Sequence, residues 1–170
     1  PCGYGFTDAQ TDAQGYYTIR GIPIGLSVYL STGAGHLFYV DEWYDGGQGD
    51  LICNNGQPVT AGATNIDFFL EPAGVATGTI TDIDGQPLSN VCINALTTDT
   101  NEWVGGNVSD ADGFFSLLAP EGSFLICTDV QCNFQNPLTH VDDCWKAGGD
   151  TDTPVNLAGG QTTSGIDIVL

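Results

Sequence analysis

Cys127, Cys132, His140 and Cys144 stand in the order C-x4-C-x7-H-x3-C. Three thiolates and an imidazole at that spacing can close a tetrahedral site around zinc, since both ligand types bind it well. The same cysteines can instead form disulfides. Cys132 with Cys144 across a loop, Cys92 with Cys127 between neighbouring strands, and Cys2 with Cys53 give one arrangement of the six. An even cysteine count in a loop-rich chain without methionine fits an oxidising compartment, which favours bridges over zinc.

Carboxylates offer a second chemistry. Asp82 and Asp84, Asp110 and Asp112, and Asp150 and Asp152 are D-x-D pairs beside Gly or Thr, able to turn several oxygens toward calcium. Asp and Gly are equally the ordinary residues of tight turns. No complete EF-hand ligand set occurs, so the sequence requires no cofactor and leaves calcium as an option.

Trp43, Tyr44, Trp103 and Trp145 could stack on sugar rings or pack inside a sheet. Asn107-Val108-Ser109 is an N-x-S sequon, making Asn107 a candidate glycan acceptor. Catalytic motifs do not emerge: there is no G-x-S-x-G elbow, no H-E-x-x-H and no P-loop. His36 and His140 do not share a repeat position, and the chain reads as a non-enzyme.

These groups sit on an acidic chain. Its 170 residues carry 21 Asp and Glu against Arg20 and Lys146, a formal net charge of −19. Such a surface repels phosphate backbones and anionic lipid, which argues against nucleic acid as a partner. No apolar run approaches eighteen residues, so no membrane insertion is expected. A hydrophobic content of 41% with 10% aromatic residues is enough to build a core.

The elements that must position these residues read as short strands. Val91, Ile93 and Ala95 alternate within Val91–Leu96, and Phe124 and Ile126 alternate within Ser123–Thr128. Ile66–Leu70 and Ile166–Leu170 place an apolar residue at every second position. Period two, with Asp84-Gly85 and Asp112-Gly113 as hairpin turns, signals an all-β chain.

The chain also repeats. Thr11–Gly21 returns as Ser109–Ala119, Val40–Gly47 as Val141–Gly149, and Asn65–Leu70 as Gly165–Leu170, offset by roughly 98 to 101 residues. The second copy is introduced by Gly74–Thr100, and no counterpart precedes the first. Residues 1–73 therefore read as an incomplete domain and 74–170 as a complete one. A β-domain without its opening strands exposes edges that another chain can cover, or that upstream residues of a longer array can fill in cis.

The order GTITDIDGQPLSNVCI, SDADGFFSLLAPEGSFLI, VDDCW and VNLAGGQTTSGIDIVL resembles the carboxypeptidase regulatory-like family, and is similar to Cna protein B-type repeats. That resemblance implies a transthyretin-like (prealbumin-like) Greek-key β-sandwich in each copy, the first lacking its opening strands. It also implies spacer, stalk or adhesion roles more than catalysis. The expected function is a structural subunit of an extracellular fibre, built from copies of itself joined by strand exchange. Cys2, Gly3, Tyr4, Gly5 and Phe6, or Ile166, Asp167, Ile168, Val169 and Leu170, would be the inserted strand. A glycan-binding or spacer module of a larger secreted protein is the alternative.

Overall fold

The computed structural model describes residues 7–51, 53–130, 132 and 140–170. The described chain is all-β, with ten strands and two single 3-10 turns. No described helix is long and apolar enough to cross a membrane. Two compact units are present: the described part of Pro1–Gly33 with Asp41–Leu70, and Ala34–Val40 with Glu71–Leu170.

The second unit is built around β3 (Gly74–Thr81), whose antiparallel neighbour is β6 (Phe114–Ala119). Along the other edge of β3 run β9 (Thr162–Ser164) and then β10 (Ile168–Val169), both parallel to it. The second sheet has the order β5 (Trp103–Val108), β4 (Cys92–Thr97), β7 (Gly122–Asp129), β8 (Val155–Leu157). All its pairings are antiparallel.

Alternation decides what each sheet buries. Ile93 and Ala95 of β4, Phe115 and Leu117 of β6, Ile126 of β7 and Ile80 of β3 are at most 1% exposed and share one core. The inward face expected at Val91, Ile93 and Ala95 is present, each fully buried. Gly105 of β5 allows the sheets to close at one side, because a Cβ there would run into the Leu118 carbonyl. Ser109 ties the loops beneath: its hydroxyl donates to the Leu88 carbonyl (2.8 Å) and accepts from the Val91 amide (3.0 Å).

The first unit is far less regular. Its strands are β1 (Ser27–Val28) and β2 (Val59–Thr60), an antiparallel pair two residues long. Isolated bridges join Ser31 to Trp43 and Trp43 to Asp50. Among its described residues only Glu42 is buried, and Tyr16, Ile24, Leu26, Leu51 and Phe69 are exposed. The strand expected at Ile66–Leu70 is not formed. Its counterpart β10 is a strand because β3 lies beside it. No described strand lies beside Ile66–Leu70, so no ladder forms there, and the Phe69 amide donates instead to Glu42 Oε1 at 3.3 Å.

Candidate functional site

Several local features recur at corresponding positions of the two units. Asp12 accepts amides from Gln14 and Tyr16 on Oδ1 (both 2.9 Å), as Asp110 does from Asp112 and Phe114 (both 2.9 Å). Gly15 and Gly113 both take positive φ in that turn, and Asn65 and Gly165 both do so ahead of the final segment. Thr32 and Glu42 exchange bonds in the same way as Thr128 and Asp143: amide to carbonyl one way, amide to hydroxyl the other. The Ser31–Trp43 bridge stands where Cys127–Cys144 stands in the second unit.

That register shows what each unit contains. Tyr16–Gly21 corresponds to β6, Ser27–Gly33 to β7, Val59–Thr60 to β8, and Ile66–Leu70 to the end of the chain. In the second unit β6 and β10 are joined through β3, and β7 leans on β4. Among the described residues of the first unit no strand holds the place of β3 or β4.

Side chains at this edge keep the inward alternation without the burial. Tyr17, Ile19, Ile66, Phe68 and Leu70 are half-buried, whereas Phe115, Leu117, Ile166 and Ile168 are at most 3% exposed. The Tyr17 ring lies 6.3 Å from that of Phe68, which meets Tyr44 edge-on at 5.9 Å. The Tyr17 hydroxyl donates to the Ile66 carbonyl at 2.7 Å. Partial burial raises the Tyr17 pKa above its usual value, and the Asp67 carboxylate and Tyr44 add to the rise.

In the second unit the segment at the repeat position of Ile66–Leu70 is paired with β3. Ile166 donates to the Thr77 carbonyl (3.1 Å), and Leu170 to that of Thr81 (2.9 Å). Thr79 gives both its amide (2.9 Å) and its hydroxyl (2.8 Å) to Asp167 Oδ1. Gly78 lies against Ile166 so closely that a Cβ would overlap its carbonyl. The terminal segment offered as an inserted strand is thus already spent: Ile166 and Ile168 are buried in their own unit. Releasing it would uncover both. The other candidate, Cys2–Phe6, lies outside the described residues.

The cysteines pair differently from the expected scheme. The bridges are Cys92–Cys132 and Cys127–Cys144, with Cα–Cα distances of 6.1 and 3.9 Å. Cys92 faces Asp129 and Cys127 faces Asn94. Cys92 and Cys127 are therefore diagonal neighbours, typically ~7–8 Å apart and beyond the usual reach of a bridge. Cys127 finds Cys144 directly across a β-bridge instead. Cys53 is disulfide-bonded, and its expected partner Cys2 lies outside the described residues. Three of the four ligands of the zinc alternative are thereby consumed.

Among the described residues no three His, Cys, Asp or Glu side chains converge to hold a metal. Asp82 and Asp110 turn Oδ1 onto the amides two and four residues ahead, the geometry of a hairpin turn. Asp84 and Asp112 supply the first of those amides. Asp152 lies 3.9 Å from Lys146, which also pairs with Asp143. That contact lowers the Asp143 pKa and raises that of Lys146, and Asp150 adds to the latter.

Asn107 bonds the Ser116 carbonyl through Nδ2 and the Val108 amide through Oδ1, while the sequon's Ser109 is buried. Trp43 and Trp145 are half-buried and Trp103 is 62% exposed, its indole N–H bonded to Asn94 (3.0 Å). Sequence reasoning missed the role of Tyr17. Its signal was there, as Tyr17 is the hydroxyl-bearing counterpart of Phe115.

No protein-family model matches this sequence, and no curated protein matches it significantly. Among solved structures, the major pilin subunit BcpA of Bacillus cereus is similar at 14% identity and a TM-score of 0.36 over 88% of this chain. A variant of that pilin gives the same figures. A 9R-lipoxygenase from Cyanothece PCC8801 is similar at 17% identity and a TM-score of 0.33 over 58% of this chain. This chain spans 39% of the pilin and 16% of the lipoxygenase. At these scores the likenesses decide nothing about fold or function, which rest on the chain's own strands and core.

Proposed function

We propose that this chain is a non-catalytic structural subunit of an extracellular fibre or surface assembly, its first unit completed by a strand from a neighbouring copy. The observation that carries this reading is the asymmetry of the repeat. The first unit keeps the counterparts of β6, β7, β8 and β10, while no described strand stands in for β3 or β4. Tyr16–Gly21 and Ile66–Leu70 then present main-chain groups and half-buried apolar residues along one edge, the arrangement that strand addition uses. A head-to-tail contact of this kind does not close on itself, so repetition gives a fibre. The transthyretin-like reading of each copy belongs to the same proposal, supported by the two-sheet core of the second unit.

The disulfides support an extracellular location, because such bridges persist in oxidising surroundings. At −19 per chain, packed copies repel one another, so salt or a cation should promote assembly. Negative-stain electron microscopy of the native material at low and high salt tests the reading. Filaments with a regular axial repeat, more abundant at high salt, are expected; isolated two-lobed particles under both conditions would count against it. A second reading, a glycan-binding spacer, draws on the exposed face of Trp103. Quenching of its fluorescence by neutral saccharides would favour that alternative.

A further inference from the structure

We infer that Arg20, with Ile24 and Leu26 beside it, docks on the ledge formed by Leu37–Tyr39 and Glu71 of a second copy of this chain. The inference deepens the proposed function and rests on it for the second copy. It adds which exposed side chains make the contact.

Charge decides where two copies can touch. Each brings 21 carboxylates against Arg20 and Lys146, so most approaches are repulsive. Lys146 is already paired with Asp143 and Asp152. Arg20 is exposed and, among the described residues, makes no salt bridge. A contact between copies that gains attraction therefore runs through Arg20. Its planar guanidinium fork also suits a carboxylate, whose two oxygens it can bond together.

The residues after Arg20 supply the apolar half. The Leu26 amide donates to the Pro23 carbonyl (3.1 Å) and Gly25 takes φ +84°, which closes a turn with Ile24 at its tip. Ile24 is fully exposed, and Leu26 is exposed beside it. The second unit turns through Pro120-Glu121-Gly122 instead, where the Glu121 carboxylate accepts the Gly159 amide at 3.2 Å. The first unit thus shows isoleucine to solvent where the second shows glutamate. Arginine within an apolar patch is the composition of an interface centre.

The receiving surface must offer apolar groups and a carboxylate together. Leu37, Phe38 and Tyr39 are exposed in succession. The Val40 amide donates to the Glu71 carbonyl (2.9 Å), which sets the exposed Glu71 alongside them. Phe38 takes φ +63°, a left-handed conformation unusual for a bulky residue. Bonds on both sides hold it there: its amide donates to the Gly35 carbonyl (2.9 Å) and its carbonyl accepts the Ala73 amide (2.9 Å). Strain of this kind persists where the surroundings fix it, and it clusters at working surfaces. Ile83 and Val141 are also exposed next to acidic residues, but each stands singly, and Asp82 and Asp142 already accept backbone amides. Knob and ledge are different surfaces, so the contact is head to tail.

The test is sedimentation of the full chain over a range of concentrations, for the unaltered protein, Arg20→Glu, Glu71→Arg, and an equimolar mixture of the two variants. Both positions are exposed, and near-ultraviolet circular dichroism checks that each variant is folded. Either variant alone sets like charges across the contact and should need about tenfold more protein, or beyond, to associate. The mixture sets Arg20 of one variant against Glu71 of the other, and should return to within about threefold of the unaltered chain. Net charge alone predicts otherwise, because Glu71→Arg makes the chain two charges less negative and would then associate more readily. Variants that associate like the unaltered chain, a Glu71→Arg chain that associates more readily, or a mixture as weak as its components would overturn the inference. Filaments from every variant would refute this contact and leave the fibre standing. Rescue in the mixture as discrete oligomers would do the reverse, and an unaltered chain that stays monomeric at every salt concentration would overturn both.

Discussion

Replacing Phe115 and its counterpart Tyr17 by alanine should separate the two units energetically. Phe115 is 1% exposed and packed among residues from both sheets, so Phe115→Ala leaves a cavity the surrounding strands cannot collapse. Core Phe→Ala changes cost about 3–5 kcal/mol. Tyr17 is half-buried, meets Phe68 at 6.3 Å and makes one hydrogen bond. An aromatic pair adds about 0.5–1.5 kcal/mol, and a hydrogen bond about 0.5–1.5 kcal/mol. Tyr17→Ala should therefore cost the unassembled chain about 1–3 kcal/mol, felt only in the first unit. In urea, with a slope of about 1–2 kcal/mol per M for a unit of this size, Phe115→Ala should lower the midpoint of the second unit by about 2 M. The assay is urea unfolding followed by near-ultraviolet circular dichroism, with hydrogen exchange at Leu117 and Ile126 to identify the unit that opens. Equal midpoint shifts for the two variants, or a shift of the second unit by Tyr17→Ala, would refute the claim that only one core is closed.

Removing the bridges should cost the second unit heavily, since the sequence separations of 40 and 17 residues correspond to about 3–4 kcal/mol each in the loop-entropy account; thermal unfolding with and without reductant measures it. Ser109→Ala strips a half-buried carbonyl and a buried amide of their partner and should destabilise by about 1–3 kcal/mol, read as a lower urea midpoint. Asp45 has its pKa lowered by the amides of Gly49 and Gly47. A depressed carboxylate gives its full contribution above its unfolded pKa of about 4, and loses it as pH falls through the lower folded value. The Gly47 and Gly49 amide resonances should therefore move at a pH below the ordinary carboxylate range; movement at pH 4 or above would contradict the turn.

Much of the second unit was legible because its signals are local. Alternation at Val91, Ile93 and Ala95 fixes which face is inward, and Asp-Gly fixes the turns at Asp84 and Asp112, wherever the strands go afterwards. Disulfide pairing is not local. It depends on the register of β4 against β7, where a shift of two residues decides whether Cys127 meets Cys92 or Cys144, and alternation is blind to such a shift. Ile66–Leu70 misled for a related reason. Its pattern is as strand-like as that of Ile166–Leu170, but pattern states only what a segment can do when a neighbour supplies the ladder. The D-x-D pairs were ambiguous between cation and turn, and the hydrogen bonds of Asp82 and Asp110 place two of the three pairs in turns.

The most direct test of the central claim is amide hydrogen exchange on native assembled material compared with the same chain after dissociation. The account predicts that residues 16–21 and 66–70 exchange slowly in the assembly and quickly once dissociated, while β3, β4 and β7 stay protected throughout. Slow exchange at both segments in the dissociated chain, or fast exchange at both in the assembly, would contradict it.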